Sequence, residues 1–205
     1  MGRAQENRKE VPLMMVENQQ YIHYNKGSMI MYSLKDYIGE DSLNSAMRRY
    51  LKDKAYQEPP FTTAKDFYAQ IKRSTPDSLK ETLSDLFERI VVYDNKVRNV
   101  TVQKSNDQYK VTMLVNTSKT RSDSLGKAKD ALVNDWIDIG VFAKNTDNKT
   151  QLGKELMFKK YKITGKEQKI EILLAEEPYM VGIDPYNKLI DMDPDDNVKT
   201  CPKSY

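Results

Sequence analysis

The period of the apolar residues changes once along this chain, and that change constrains the fold more than any other feature. From Tyr21 to Ile90 the beat is helical. Tyr24, Gly27, Met31, Leu34 and Ile38 recur at steps of three and four, the spacing that gathers side chains on one helix face. Gly39 follows where a C-cap wants positive φ. Asp41 or Ser42 then suits the N-cap of a second helix striped by Leu43, Ala46, Met47, Tyr50 and Leu51, with Pro59-Pro60 as its stop. Thr63-Ala64-Lys65-Asp66 has the spacing of a capping box opening a helix with Phe67 and Ile71. Thr75-Pro76 reads as a cap with proline at the first helical position of a fourth helix, which buries Leu79, Leu83, Leu86, Phe87 and Ile90.

Beyond Ile90 the period becomes two. Asp94-Asn95 reads as a turn ending Val91-Val92-Tyr93. Tyr109, Val111, Met113 and Val115 alternate with Lys110, Thr112, Leu114 and Asn116, and Ile137, Ile139 and Val141 alternate with Trp136, Asp138, Gly140 and Phe142. Ile170, Ile172 and Leu174 repeat the pattern after Thr164-Gly165-Lys166. Ser118 to Asp130 reads as a long mobile loop or hairpin tip. From Pro178 the pattern dissolves into turns rich in proline and aspartate. The expected fold is therefore α+β in two parts: a helical segment over 1–90, an antiparallel β-sandwich over 91–197, and a frayed tail over 198–205.

Composition excludes several functions. With 33 basic and 30 acidic residues the net charge is +3, too balanced for the basic face that nucleic acid requires. No apolar run reaches the roughly 20 residues that cross a bilayer. The first ten residues carry charge but no apolar core, so no secretory signal is expected, and Glu6 stands where a myristoylation signal wants Ser or Thr. One histidine, His23, and one cysteine, Cys201, leave no paired-histidine zinc site and no internal disulfide.

Few residues remain as chemical candidates. Asp191-Met192-Asp193-Pro194-Asp195-Asp196-Asn197 superficially resembles a calcium loop. Asp196 holds the position of the turn glycine and Pro202 that of the bidentate glutamate, so a structural acidic turn is the better reading. Glu176-Glu177 and Asp184 have nothing converging on them, and Cys201 lies near the chain end; neither is assigned chemistry. Tyr21-Ile22-His23-Tyr24-Asn25-Lys26-Gly27 gathers two tyrosines, the histidine and a lysine where a helix begins. Its plain reading is an amphipathic first turn. Its functional reading is a phenol aimed into a cleft, donating a hydrogen bond to a developing oxyanion.

Tyr24-Asn25-Lys26-Gly27, the apolar helix after it and Ile38-Gly39-Glu40-Asp41 resemble the gluzincin zinc aminopeptidases, the family of aminopeptidase N and leukotriene A4 hydrolase. In order, the family carries a Tyr-x-Lys-Gly element, a leucine-rich stretch, a Gly-Glu or Gly-Pro corner, a helix ending near an aromatic such as Tyr56, and a Thr-rich cap like Phe61-Thr62-Thr63. A narrower group, bacterial proteins joining an ABC-type permease region to such a peptidase, has text similar to Gln20-Tyr21-Ile22-His23-Tyr24 and a final segment similar to Gly182-Ile183-Asp184-Pro185-Tyr186-Asn187-Lys188-Leu189-Ile190-Asp191. On that comparison the resemblance runs from about Pro12 onward.

The resemblance implies that the helical part is the end of a thermolysin-like catalytic domain and that Tyr24 is the catalytic oxyanion donor. The parent's zinc would be held by an HExxH helix, absent here, so this chain would bind no metal itself. Its partners would be the upstream catalytic domain of the same polypeptide and a peptide substrate. The piece itself is expected to be soluble, and the parent anchored in a bacterial membrane. Two other functions stay open at this point: a non-catalytic module binding protein or peptide through the Ser118–Asp130 loop and sheet edges, or a degenerate peptidase-like protein.

Overall fold

The computed structural model describes residues 10–123, 125–148 and 150–203. The readings placed on the first nine residues, and the tail beyond Lys203, lie outside them. The chain is α+β and divides into two compact units, Met1–Val91 with Arg121–Lys129, and Val92–Thr120 with Asp130–Tyr205. The division near Ile90 falls where the period changes. The return of Arg121–Lys129 to the first unit has a local cause: the Arg121 guanidinium donates to Asp85 Oδ1 at 3.0 Å and Glu81 Oε1 at 2.7 Å. No helix among the described residues is long and apolar enough to cross a membrane.

The first unit holds a 3-10 turn (Leu13–Met15), a π-helical turn (Tyr21–Lys26) and four α-helices: α1 (Gly27–Ile38), α2 (Glu40–Lys54), α3 (Ala64–Ser74) and α4 (Lys80–Phe87). Their apolar faces meet in a core of Ile30, Leu34, Leu43, Ala46, Tyr68, Ile71, Leu83 and Phe87. Gly39, at φ +84°, both ends α1 and caps α2, so Asp41 and Ser42 lie inside the helix rather than before it. Helix α2 also ends before the expected Pro59-Pro60. Ala55 is already extended, and Tyr56 turns the chain at φ +60° with its ring fully in water. Leu51, expected on the buried stripe, is exposed.

The capping box forms as read: the Thr63 N–H donates to Asp66 Oδ2 at 2.8 Å. Thr75 does different work from that expected. Its Oγ1 donates to the Ile71 carbonyl at 2.9 Å and closes α3, and a 3-10 turn (Asp77–Leu79) separates Pro76 from α4. Ile90 belongs to a strand, not to the fourth helix.

The strands are β1 (Ile90–Ser105), β2 (Gln108–Ser122), β3 (Ala128–Ala131), β4 (Asp135–Phe142), β5 (Glu155–Ile163), β6 (Glu167–Leu174), β7 (Met180–Ile183) and β8 (Val198–Thr200). One sheet runs β1-β2-β3 with β6 also on β2; the other runs β5-β4-β7-β8. Asn106 and Asp107, both at positive φ, make the two-residue hairpin between β1 and β2. Between β2 and β6, antiparallel register sets Val111 opposite Ile172 and Met113 opposite Ile170 on one buried face, as the alternation required.

Two expectations fail in this region, and one choice between alternatives is decided. Asp94-Asn95 is no turn: β1 passes straight through it, because buried Asn95 donates its backbone N–H (3.1 Å) and its Nδ2 (2.9 Å) to Asp191 Oδ2. Segment 118–130 is a hairpin tip in which Asp123 Oδ1 accepts the Leu125 and Lys127 N–H groups at 2.9 and 3.0 Å. That outcome leaves no long loop there. The turns rich in proline and aspartate occupy 184–197, but a strand lies on either side of them. β7 is buried throughout, and Val198–Thr200, placed in the expected frayed tail, pairs with it antiparallel. The Cys201 N–H extends that order by donating to the Tyr179 carbonyl at 2.8 Å.

Candidate functional site

Tyr24 lies in the π-helical turn that leads into α1. A π turn closes i→i+5 hydrogen bonds, here the Gly27 N–H to the Ile22 carbonyl, and so holds one residue more than an α turn. The extra residue changes which side chains point outward. Ile22, Lys26 and Gly27 are buried, whereas His23, Tyr24 and Asn25 are exposed. Tyr24 is 65% exposed, its ring 4.5 Å from that of His23. It therefore does not share a face with Gly27 and Leu34, as an unbroken α-helix beginning at Tyr21 would have arranged. The buried stripe of α1 runs instead through Gly27, Ile30, Ser33 and Leu34.

Lys26 is the unexpected member of this turn. Its side chain is 9% exposed and its Nζ stands 3.2 Å from Glu10 Oε1, itself on a largely buried side chain. Its partner sixteen residues earlier carries no periodic signal that would have revealed the pair. An open phenol beside a buried ion pair can donate a hydrogen bond outward while its backbone is held from behind.

Segment 182–191 is a packing device on the second sheet. Gly140 and Gly182, paired across β4 and β7, leave a hollow that Pro185 fills: a Cβ on Gly182 would come within 2.8 Å of Pro185 Cβ. Tyr186 meets Phe142 and Phe158 edge to face, and Lys188 donates to Asp138 Oδ2 at 2.8 Å while lying over the Phe158 ring. Asp138 also takes Lys160 at 2.8 Å. This cover explains why Asp138, Gly140 and Phe142 are buried despite their outward place in the alternation.

Asp184 begins the segment at φ +45°, its carboxylate accepting the Lys188 and Leu189 N–H groups at 3.0 and 2.9 Å. Burial nevertheless pushes its carboxyl up to about 7, against the two backbone bonds that favour the charged form. Asp184 is thus a buried cap, whereas Glu176 pairs with Lys154 at 2.7 Å on the surface. Asp191 anchors Asn95 and accepts the Asp193 N–H at 3.1 Å, a structural use of the acidic turn, and burial raises its carboxyl too. Next to it the Lys96 ammonium sits 3.0 Å from Asp196 Oδ2, so a cation of the chain already answers that carboxylate. Burial pushes the Cys201 thiol up to about 12, which keeps it protonated near neutrality. The chain matches no protein-family model and no curated protein.

Proposed function

We propose that this chain is the C-terminal portion of a gluzincin zinc aminopeptidase, with Tyr24 as its oxyanion-stabilising residue. On this reading the helical unit is the end of a thermolysin-like catalytic domain and the strands form a β-sandwich. One observation carries it: Tyr24 leaves its phenol open to solvent on a turn whose neighbours Ile22 and Lys26 are buried. An aromatic held out at the mouth of a helix is the arrangement a donor to a bound carbonyl requires. The sandwich is supported by polar reach between the two sheets, where Lys119 of β2 and Tyr93 of β1 meet Asp135 of β4 at 2.8 and 3.3 Å.

The family's zinc calls for an HExxH pair, and His23 is the only histidine here. These residues do not make that metal site. What Tyr24 contributes is a phenolic O–H donated to the carbonyl oxygen of the scissile amide. The bond strengthens as that oxygen gains charge, so it favours the transition state over the ground state.

Replacing Tyr24 by Phe in the polypeptide that includes the HExxH segment tests this. Hydrolysis of an aminoacyl anilide should fall about a hundred- to a thousandfold with bound zinc unchanged. Undiminished turnover removes Tyr24 from the mechanism. A parent without HExxH, or robust hydrolysis by these 205 residues alone, removes the whole reading.

A further inference from the structure

We propose that Lys26 and Glu10 are positioning residues: their buried ion pair holds the π-helical turn in register and so sets the direction of Tyr24. The inference rests on the role given to Tyr24 above.

Packing does not orient the Tyr24 ring, which is exposed and touches His23 beside it. Its direction is therefore set by the backbone of the turn. A π turn is rare and needs support, because the same residues can close α-type bonds instead. Here the support comes from the inner side. Ile22 is fully buried, and four residues on the Lys26 ammonium reaches Glu10 at 3.2 Å. Glu10 leads into the Leu13–Met15 turn, whose Leu13 side chain lies beside Gly27. The segment before the helix is thus tied to the turn by one charge pair and one apolar contact. Without the pair, Lys26 would hold an uncompensated charge against that segment, and its escape to water would pull the turn out of shape. Relaxation to α geometry expels one residue from the turn and rotates what precedes it by about 100° about the axis of α1. Tyr24 would then point elsewhere while every residue remained present.

Two measurements test this, and they separate it from the parent reading. In this chain, amide exchange at Gly27, whose N–H is shared by the Ile22 and Tyr24 carbonyls, reports how often the turn opens. Lys26→Met and the milder Glu10→Gln should each speed it about tenfold or more, whereas Lys35→Met, which breaks only the surface pair with Glu40, should not. Unchanged Gly27 exchange in Glu10→Gln overturns the proposal, and that variant serves should Lys26→Met fail to fold. In the full peptidase, Lys26→Met should lower kcat about a hundredfold with KM nearly unchanged. Lys26→Arg should keep most of the rate. In a Tyr24→Phe background Lys26→Met should cost no further rate, because both changes remove the same interaction. A full additional loss there assigns Lys26 a role apart from Tyr24 and overturns the proposal. If the full polypeptide hydrolyses nothing, the peptidase reading falls, and Gly27 exchange still decides whether the pair holds the turn.

Discussion

The helical and the β-rich units each use an aspartate to satisfy backbone N–H groups, and the two carboxylates respond in opposite ways. Asp66 stands on the surface in the first turn of α3, accepts the Thr63 N–H at 2.8 Å, and is held by that bond, then by the Thr63 hydroxyl and Lys54, down to about 2. Asp184 accepts two such N–H groups, yet burial drives it up to about 7, with Asp138 and Asp191 adding negative charge nearby. The local bonding is alike. Access to water differs, and it decides the sign. Both units bury charge. The helical unit holds Lys26 and Asp85 beside an aliphatic and aromatic core. The β-rich unit buries Lys119, Asp135, Asp138, Lys188 and Asn95 among its apolar residues.

The largest effect should come from a buried charge in the β-rich unit. Lys119 and Asp135 are 2% and 4% exposed and 2.8 Å apart. Asp135→Asn keeps the shape but removes the negative charge 2.8 Å from the buried ammonium, which should cost about 3–5 kcal/mol in urea unfolding. Adding Lys119→Met should recover most of that loss, because an apolar replacement no longer demands a counter-charge. A cost below that of an ordinary surface change would mean that water reaches the pair.

The same contrast explains what the sequence disclosed. Periodicity reports apolar burial, so Leu34, Leu43, Ile71 and Leu83 could be placed on buried faces from spacing alone, as could Val111 and Ile172. It does not report polar burial. Asn95 looked like half of a turn because its partner, Asp191, lies 96 residues on. β7 and β8 were illegible for a related reason: Met180–Ile183 has both faces covered and only four residues in which to show a period. At the candidate site, Tyr24 and the start of a helix were legible. The π turn was not, since one inserted residue leaves the composition of the stretch unaltered and shifts only which face it presents.

Asp184 sharpens the comparison through pH. Its folded value of about 7 lies above the ordinary 3.8, so the folded state keeps a proton that the unfolded state has lost in between. Stability from this group is therefore greatest below about pH 4 and declines as pH rises towards 7, by at most about 1.4 kcal/mol per pH unit. The charged groups around it are Asp138 with its lysines Lys160 and Lys188, and Asp191. Asp184→Asn should flatten that decline, read as the difference between the two urea-unfolding profiles over pH 4–7. An unchanged slope would assign the pH dependence to another group.

The smallest effect belongs to the helical cap. Thr63→Ala removes a side-chain oxygen from the start of α3 and should cost about 1 kcal/mol, well under the loss at Asp135. Its partner Asp66 has the opposite pH sign to Asp184. Its folded value is lowered to about 2, so its contribution is present above pH 4 and is lost as pH falls towards 2. Asp66→Asn should therefore blunt the acid limb of the unfolding curve and leave the region from pH 4 to 7 untouched, the reverse of Asp184→Asn. If both variants altered the same pH range, water could not be what separates these two carboxylates, since each would be answering to the charge of the whole chain rather than to its own surroundings.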